Sequence, residues 1–299
     1  MSAICHQGEG IRGSGSKRAG FAVVALLQAN TWVDPSPHHA QFVPVTDGVK
    51  LEVLDFGGSG RPLVLLAGLG NTAHVFDGFA PKIAKIGHVY AITRRGYGAS
   101  SKPESGYDIE RLSADVLAVL DSLRLEAPVL IGHSRAGAEM SYLATHRRER
   151  ISGLIYLEAA YRYAYDIPGA FEKDFPNLPP PASSPPAVVR QPFTVPDAER
   201  RQPPALATAS KQIQASSHQF TEIGLPALAI FASPHDIGAA PDPAFDRFDE
   251  AQVERQARAF ERGVPGARVL RWPRASHYLF LTREADVIRE VVEFLDSLR

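Results

Sequence analysis

Pro128-Val129-Leu130-Ile131-Gly132-His133-Ser134-Arg135-Ala136-Gly137 is an apolar run that passes at once into a Gly-x-Ser-x-small turn and then into a helical pattern. A buried strand entering a helix through so short a turn presents the serine on a strained corner, with its hydroxyl clear of the sheet. Gly132 and Ala136, two residues before and after Ser134, are small enough to let strand and helix approach; alanine stands where the usual pattern has a second glycine.

Outward from this turn the chain alternates. Short apolar runs at 62–67, 89–93, 154–157, 227–231 and 268–272 have the texture of strands buried on both faces. Helical patterns fall between them at 75–86, at 109–123 after Asp108 as N-cap, and at 135–147, with later ones at 247–262 and 283–298. Residues 41–56 read as a hairpin around Asp47-Gly48, closed by Gly57-Gly58-Ser59-Gly60; that glycine run lacks the lysine and following helix of a nucleotide site. Strands alternating with helices imply a mostly parallel sheet covered on both sides.

The stretch 161–222 breaks the alternation. It holds 11 of the chain's 24 prolines, which no sheet strand tolerates, and seven aromatic residues including Tyr161, Tyr163 and Phe220. It reads as a lid inserted between strands. The resulting division is an extension over 1–38, a first core part over 39–160, the lid over 161–222 and a second core part over 223–299. Within the extension, Arg12, Lys17 and Arg18 precede a short apolar run at 21–27, loosely the pattern of a secretory signal. Glu9 and the lack of a small residue at Leu27 argue against one, so a cytoplasmic location is expected, with export as the alternative.

Composition narrows the function. Lys and Arg number 32 against 33 Asp and Glu, a net charge of −1, so no field gathers nucleic acid or an anionic membrane. Cys5 is the only cysteine, which excludes an internal disulfide and thiolate metal centres. No cofactor and no metal are expected, the partner is a small-molecule substrate, and oligomeric state is not legible.

From the turn at Ser134 the sequence resembles the α/β-hydrolase superfamily over roughly residues 41–299. Gly68-Leu69-Gly70-Asn71 is similar to the family's loop that supplies an oxyanion-hole amide, with Ala67 in place of the common histidine. Thr93-Arg94-Arg95-Gly96-Tyr97-Gly98-Ala99-Ser100 resembles a family turn, with Thr93 replacing its acid. Ser276-His277-Tyr278 stands where the family places its catalytic histidine. The resemblance implies an α/β-hydrolase fold with Ser134 as nucleophile and His277 as base, because a neutral serine hydroxyl needs a positioned imidazole oriented by an anion. Of ten histidines, His218 and His235 are the runners-up; His133 reads as a local packing or hydrogen-bonding residue. For the acid, Asp236 occupies the position most members use and Glu158 the one a minority use. Asp236 is preferred; otherwise Asp236 caps a turn, and Glu158 pairs with Arg135 or Arg162. The oxyanion amides are expected from Leu69 and Arg135. The Arg135 side chain reads either as a clamp for an anionic substrate group or as an i,i+4 partner of Glu139, and the spacing favours the latter.

The function expected is a serine hydrolase acting on a small ester or related acyl compound through an acyl-enzyme. Aminopeptidase, carbon–carbon bond hydrolase or haloperoxidase-like chemistry on the same triad is the alternative, and a non-catalytic ligand-binding relative is the reading from another class. Serine at 134 argues against the dehalogenase and epoxide hydrolase branches, which need a carboxylate there.

Overall fold

The computed structural model describes residues 36–46, 48–166, 204–215, 220, 222–238 and 242–298. Among them, eight strands form one sheet: β1 (His39–Thr46), β2 (Val49–Asp55), β3 (Pro62–Leu66), β4 (His88–Ile92), β5 (Val129–His133), β6 (Gly153–Leu157), β7 (Ala227–Ala232) and β8 (Arg268–Trp272). Their order is β1-β2-β4-β3-β5-β6-β7-β8. The hairpin β1–β2 and the pair β2–β4 are antiparallel, and every later pairing is parallel. Gly48 takes the left-handed conformation the hairpin turn requires, at φ 70°, while Asp47 lies outside the described residues. Because β3 lies between β4 and β5, the chain reverses direction across the sheet there, and such a switch point opens a crevice beyond the strand ends. Leu66 pairs with Gly132, so the loops that leave β3 and β5 begin side by side.

The helices are α1 (Ala80–Ile83), α2 (Ile109–Ser122), α3 (Ala136–His146), α4 (Pro204–Ala215), α5 (Pro243–Gly263), α6 (Leu279–Thr282) and α7 (Glu284–Ser297). They explain why the strands are continuously apolar. Val64 and Leu66 of β3 join a core with Val116, Val119, Met140, Leu143 and Phe260 from α2, α3 and α5. Leu63 and Leu65 face the other way, onto Ile83, Val287, Val291 and Phe294 from α1 and α7. Two-residue alternation thus feeds two cores, and neither face needs polar residues.

Three elements differ from the sequence reading. The helix expected at 75–86 is a 3₁₀ turn, Ala73–Phe76, followed by the short α1, whose second residue is Pro81; proline is welcome in a first turn and ends a helix arriving from before it. Helix α5 starts four residues earlier than expected, at Pro243, where Asp242 accepts from the amides of Ala244 and Phe245. Helix α4 lies inside the proline-rich stretch, opening on Pro204. Residues 167–203, 216–219 and 221 of the expected lid lie outside the described residues, as does 1–35, which includes the apolar segment at 21–27. Residues 36–299 group as one unit, so both expected core parts belong to a single body. Among the described residues no helix is long and apolar enough to cross a membrane.

Candidate active site

Ser134 sits between β5 and α3 with φ 51°, in the left-handed region that a side chain enters only under constraint. The constraint is close packing. A Cβ on Gly137 would lie 1.9 Å from the carbonyl oxygen of Ala159, a backbone atom that cannot step aside, and one on Gly132 would lie 2.1 Å from Met140 Sδ. Gly68, in the loop leaving β3, approaches the same corner: its Cβ would fall 3.0 Å from the Cβ of Ser134. Leu69 therefore follows a residue held against the serine, and Arg135 follows the serine itself. Ser134 is half-buried, and the side chain of the partly buried Tyr163 hydrogen-bonds with it. Burial pushes the Tyr163 phenol up, so it stays protonated.

His277 lies after β8 and before α6. The ring of His133, buried and adjacent to Ser134, donates from Nε2 to the His277 carbonyl at 3.0 Å, which fastens the loop carrying His277 to the turn at Ser134. Burial holds the His133 pKa well below its ordinary value, so this ring is neutral. Nδ1 of His277 contacts Oε2 of Glu158 at 3.1 Å. An Nδ1 proton directed at the carboxylate would leave Nε2 facing away from it.

Glu158 follows β6 with φ 52° and is fully buried. Its carboxylate accepts from the amide of Ala232 at 2.6 Å, from the Tyr161 hydroxyl at 2.8 and 2.9 Å, and from Nε2 of His235 at 2.6 Å, besides His277. Burial by itself would raise its pKa. The charge of His235 and the hydrogen bonds from both histidines outweigh burial and hold it at about 2. His235 is bound on its other nitrogen by Asp249, at 2.8 Å. Burial would lower its pKa, but Glu158 and Asp249 raise it to about 10, so His235 is an imidazolium near neutrality.

The carboxylate that meets His277 is thus Glu158 and not Asp236, the residue preferred from sequence. The reason is local. His235 and Ala275 form a parallel bridge, and the Asp236 amide donates to the Ala275 carbonyl at 2.8 Å. Neighbouring side chains in extended backbone point to opposite faces. With His235 turned towards Glu158, Asp236 turns away, and its Oδ1 accepts from the Gly238 amide, capping a turn. The side chain that meets Glu158 from this loop is that of His235.

The two arginines expected as Glu158 partners are engaged elsewhere. Arg162 pairs with Asp166 at 2.9 Å. Arg135 donates to the carbonyls of Ile213 and Gln214 at 2.9 and 3.4 Å, at the end of α4, and its guanidinium lies 4.8 Å over the Tyr163 ring. Glu139 is bound by Arg94, whose Nε donates at 2.6 Å, in place of the expected i,i+4 partnership with Arg135. Arg94 also donates to the carbonyl of Ala67 at 3.1 Å, so the turn after β4 supports the loop carrying Leu69. The Pro-rich stretch hid Tyr161 and Tyr163, read from sequence as packing residues of the lid; their spacing of two, just beyond Glu158, was the available signal.

A model of the alpha/beta hydrolase fold family matches residues 61–226, more than half of the chain. Epoxide hydrolase A of Mycobacterium tuberculosis is 44% identical over 92 residues, 29% of this chain and 29% of that protein. The non-heme haloperoxidase of Rhodococcus erythropolis is 32% identical over 120 residues, 40% of this chain and 43% of that protein. The chain spans less than half the length of these curated relatives. A serine hydrolase involved in carbazole degradation, the CarC enzyme, shares the fold with a TM-score of 0.63 at 16% identity, covering 88% of this chain and 100% of that one.

Proposed function

Because the chain belongs to the alpha/beta hydrolase fold family, we propose that it is a serine hydrolase in which Ser134 is the nucleophile, His277 the base and Glu158 the acid, acting on a small ester or related acyl compound. The observation that carries this reading is the contact of His277 Nδ1 with the buried Glu158 carboxylate, on a loop tied to the residue preceding Ser134.

Nε2 of His277 takes the Ser134 proton as Oγ attacks the acyl carbon, and the imidazolium then returns that proton to the leaving group. Water then gives a proton to His277 as its oxygen attacks the acyl carbon, and the collapse that releases the acid returns that proton from His277 to Ser134 Oγ. The amides of Leu69 and Arg135 would hold the developing oxyanion. Residues 161–222 are the part we assign to substrate selection. Support comes from Tyr163 on the nucleophile and from Ala209 and Ile213 of α4, which pack with Tyr97, Tyr107 and Leu112, Leu69 lying against that cluster.

Haloperoxidase-like chemistry is the second reading, favoured by the Rhodococcus relative, a non-heme haloperoxidase 32% identical over 120 residues. The epoxide hydrolase relative does not carry its activity here, because Ser134 occupies the place where that branch needs a carboxylate nucleophile. The test is labelling with a fluorophosphonate beside an ester panel of graded acyl length. Wild-type protein should label and turn over, and Ser134→Ala should do neither while keeping its far-UV spectrum. Near-wild-type hydrolysis by Ser134→Ala would end the serine-hydrolase reading.

A further inference from the structure

A second cluster of ligating side chains lies away from the triad, where the chain enters β1. His38, just before that strand, has a side chain only 4% exposed, packed edge-on against Phe56 and 5.0 Å from the ring of His74. His74 and Asp77 belong to the 3₁₀ turn after the Leu69 loop and the residue that ends it. The Asp77 carboxylate divides its oxygens between the two rings: Oδ1 is 3.0 Å from His38 Nδ1, and Oδ2 is 3.4 Å from His74 Nδ1. Oδ1 and His38 Nδ1 are both buried, and despite their closeness neither makes a hydrogen bond. Two buried polar atoms so close, without a hydrogen bond between them, are costly to leave so.

We propose that His38, His74 and Asp77 form a binding site for a divalent transition-metal ion, best matched by Zn²⁺. Two imidazoles and a carboxylate suit this class and do not suit the all-oxygen preference of Ca²⁺ or Mg²⁺. Ligands at about 2.0–2.1 Å in a tetrahedron stand ~3.3 Å from one another. The two carboxylate oxygens of Asp77 stand 3.0 and 3.4 Å from the two ring nitrogens, and one ligand atom from each residue lies within 4.8 Å of the others, so a small side-chain adjustment would bring all three onto one ion. The arrangement continues outward as metal sites do. Nε2 of His74 contacts Oε1 of the buried Glu52 at 3.2 Å, and Thr93 Oγ1 donates to the other Glu52 oxygen at 2.7 Å. A carboxylate on the far nitrogen of a ligating histidine fixes its tautomer and ring orientation. His74 and Asp77 are 39% and 36% exposed, which gives the ion an entry path and leaves a coordination position for water. The ion would staple the residue before β1 to the turn that follows the Leu69 loop. This departs from the sequence expectation of no metal, since neither His38 nor His74 stands in a recognisable ligand spacing.

The test is Zn²⁺ titration of chelator-stripped full-length protein against a chromophoric chelator, with the thermal midpoint read in parallel. One equivalent should bind at micromolar or tighter affinity and raise the midpoint. His38→Gln and Asp77→Asn should each weaken binding at least about tenfold, Glu52→Gln by about 10- to 100-fold, and His39→Gln not at all. Asp77→Asn, at a partly exposed turn, carries the test if His38→Gln fails to fold by circular dichroism. Binding that persists in both ligand variants, or that disappears only in His235→Gln, would put the ion at the triad cluster or elsewhere and overturn the proposal. So would the absence of any micromolar binding.

Discussion

Glu158 and His277 are 119 residues apart in the chain, and their side chains meet at 3.1 Å through Oε2 and Nδ1. The same carboxylate holds His235 and Tyr161, so one buried group organises both His277 and the loop beyond β7.

If that carboxylate orients the base, Glu158→Gln lowers kcat by roughly 10² to 10⁴, the scale seen when the acid of a serine-protease triad becomes an amide. Asp236→Asn, which alters only a turn contact, changes kcat by no more than about threefold, as a substitution worth ~0.5 kcal/mol would. Steady-state kinetics on folded variants decide between them. The reverse ranking would restore Asp236 as the acid.

The Glu158–His235 pair also predicts how stability follows pH. The Glu158 pKa falls from 4.5 to about 2, so its contribution is complete above 4.5 and is lost as pH drops through 2. The His235 pKa rises from 6.5 to about 10, so its contribution is complete below 6.5 and is lost as pH climbs through 10. Both are in force between pH 4.5 and 6.5, where the thermal midpoint should peak, with an alkaline decline that flattens in His235→Gln. A midpoint that rises from pH 7 to 10 in wild-type protein would contradict the charged His235.

Arg94 and Glu139 are both buried, 6% and 4% exposed. Glu139→Gln leaves the guanidinium without its counter-charge, and breaking such a pair costs about 3–5 kcal/mol. Denaturant unfolding should show that loss. Activity should fall as well, because Arg94 holds the carbonyl of Ala67 beneath the Leu69 loop.

Arg135→Ala retains the backbone amide proposed for the oxyanion hole but removes the side chain that grips the last carbonyls of α4. KM for bulky esters should rise, while kcat for a short ester holds within about threefold. A fall in kcat with KM unchanged would place the guanidinium at the reacting atoms.

Much of this protein is readable without coordinates. The strand-turn-helix at Ser134, the buried runs at 62–67 and 227–231 and the N-cap at Asp108 are local patterns, set by side-chain period and by residues within a few positions. Asp108 does accept from the Arg111 amide, and β3 and β7 form where the runs fall. Other features are sums over distant parts of the chain. Whether His235 or Asp236 faces Glu158 depends on a bridge to Ala275, and Glu158 becomes the carboxylate at His277 only because β6 and the loop after β8 converge. Arg135 donates to the carbonyls ending α4, and the hydrogen bond to Glu139 comes from Arg94, 45 residues away in the chain. Periodicity dictates which face a side chain takes, but a single phase shift at a loop reverses it, and only the folded backbone carries that phase.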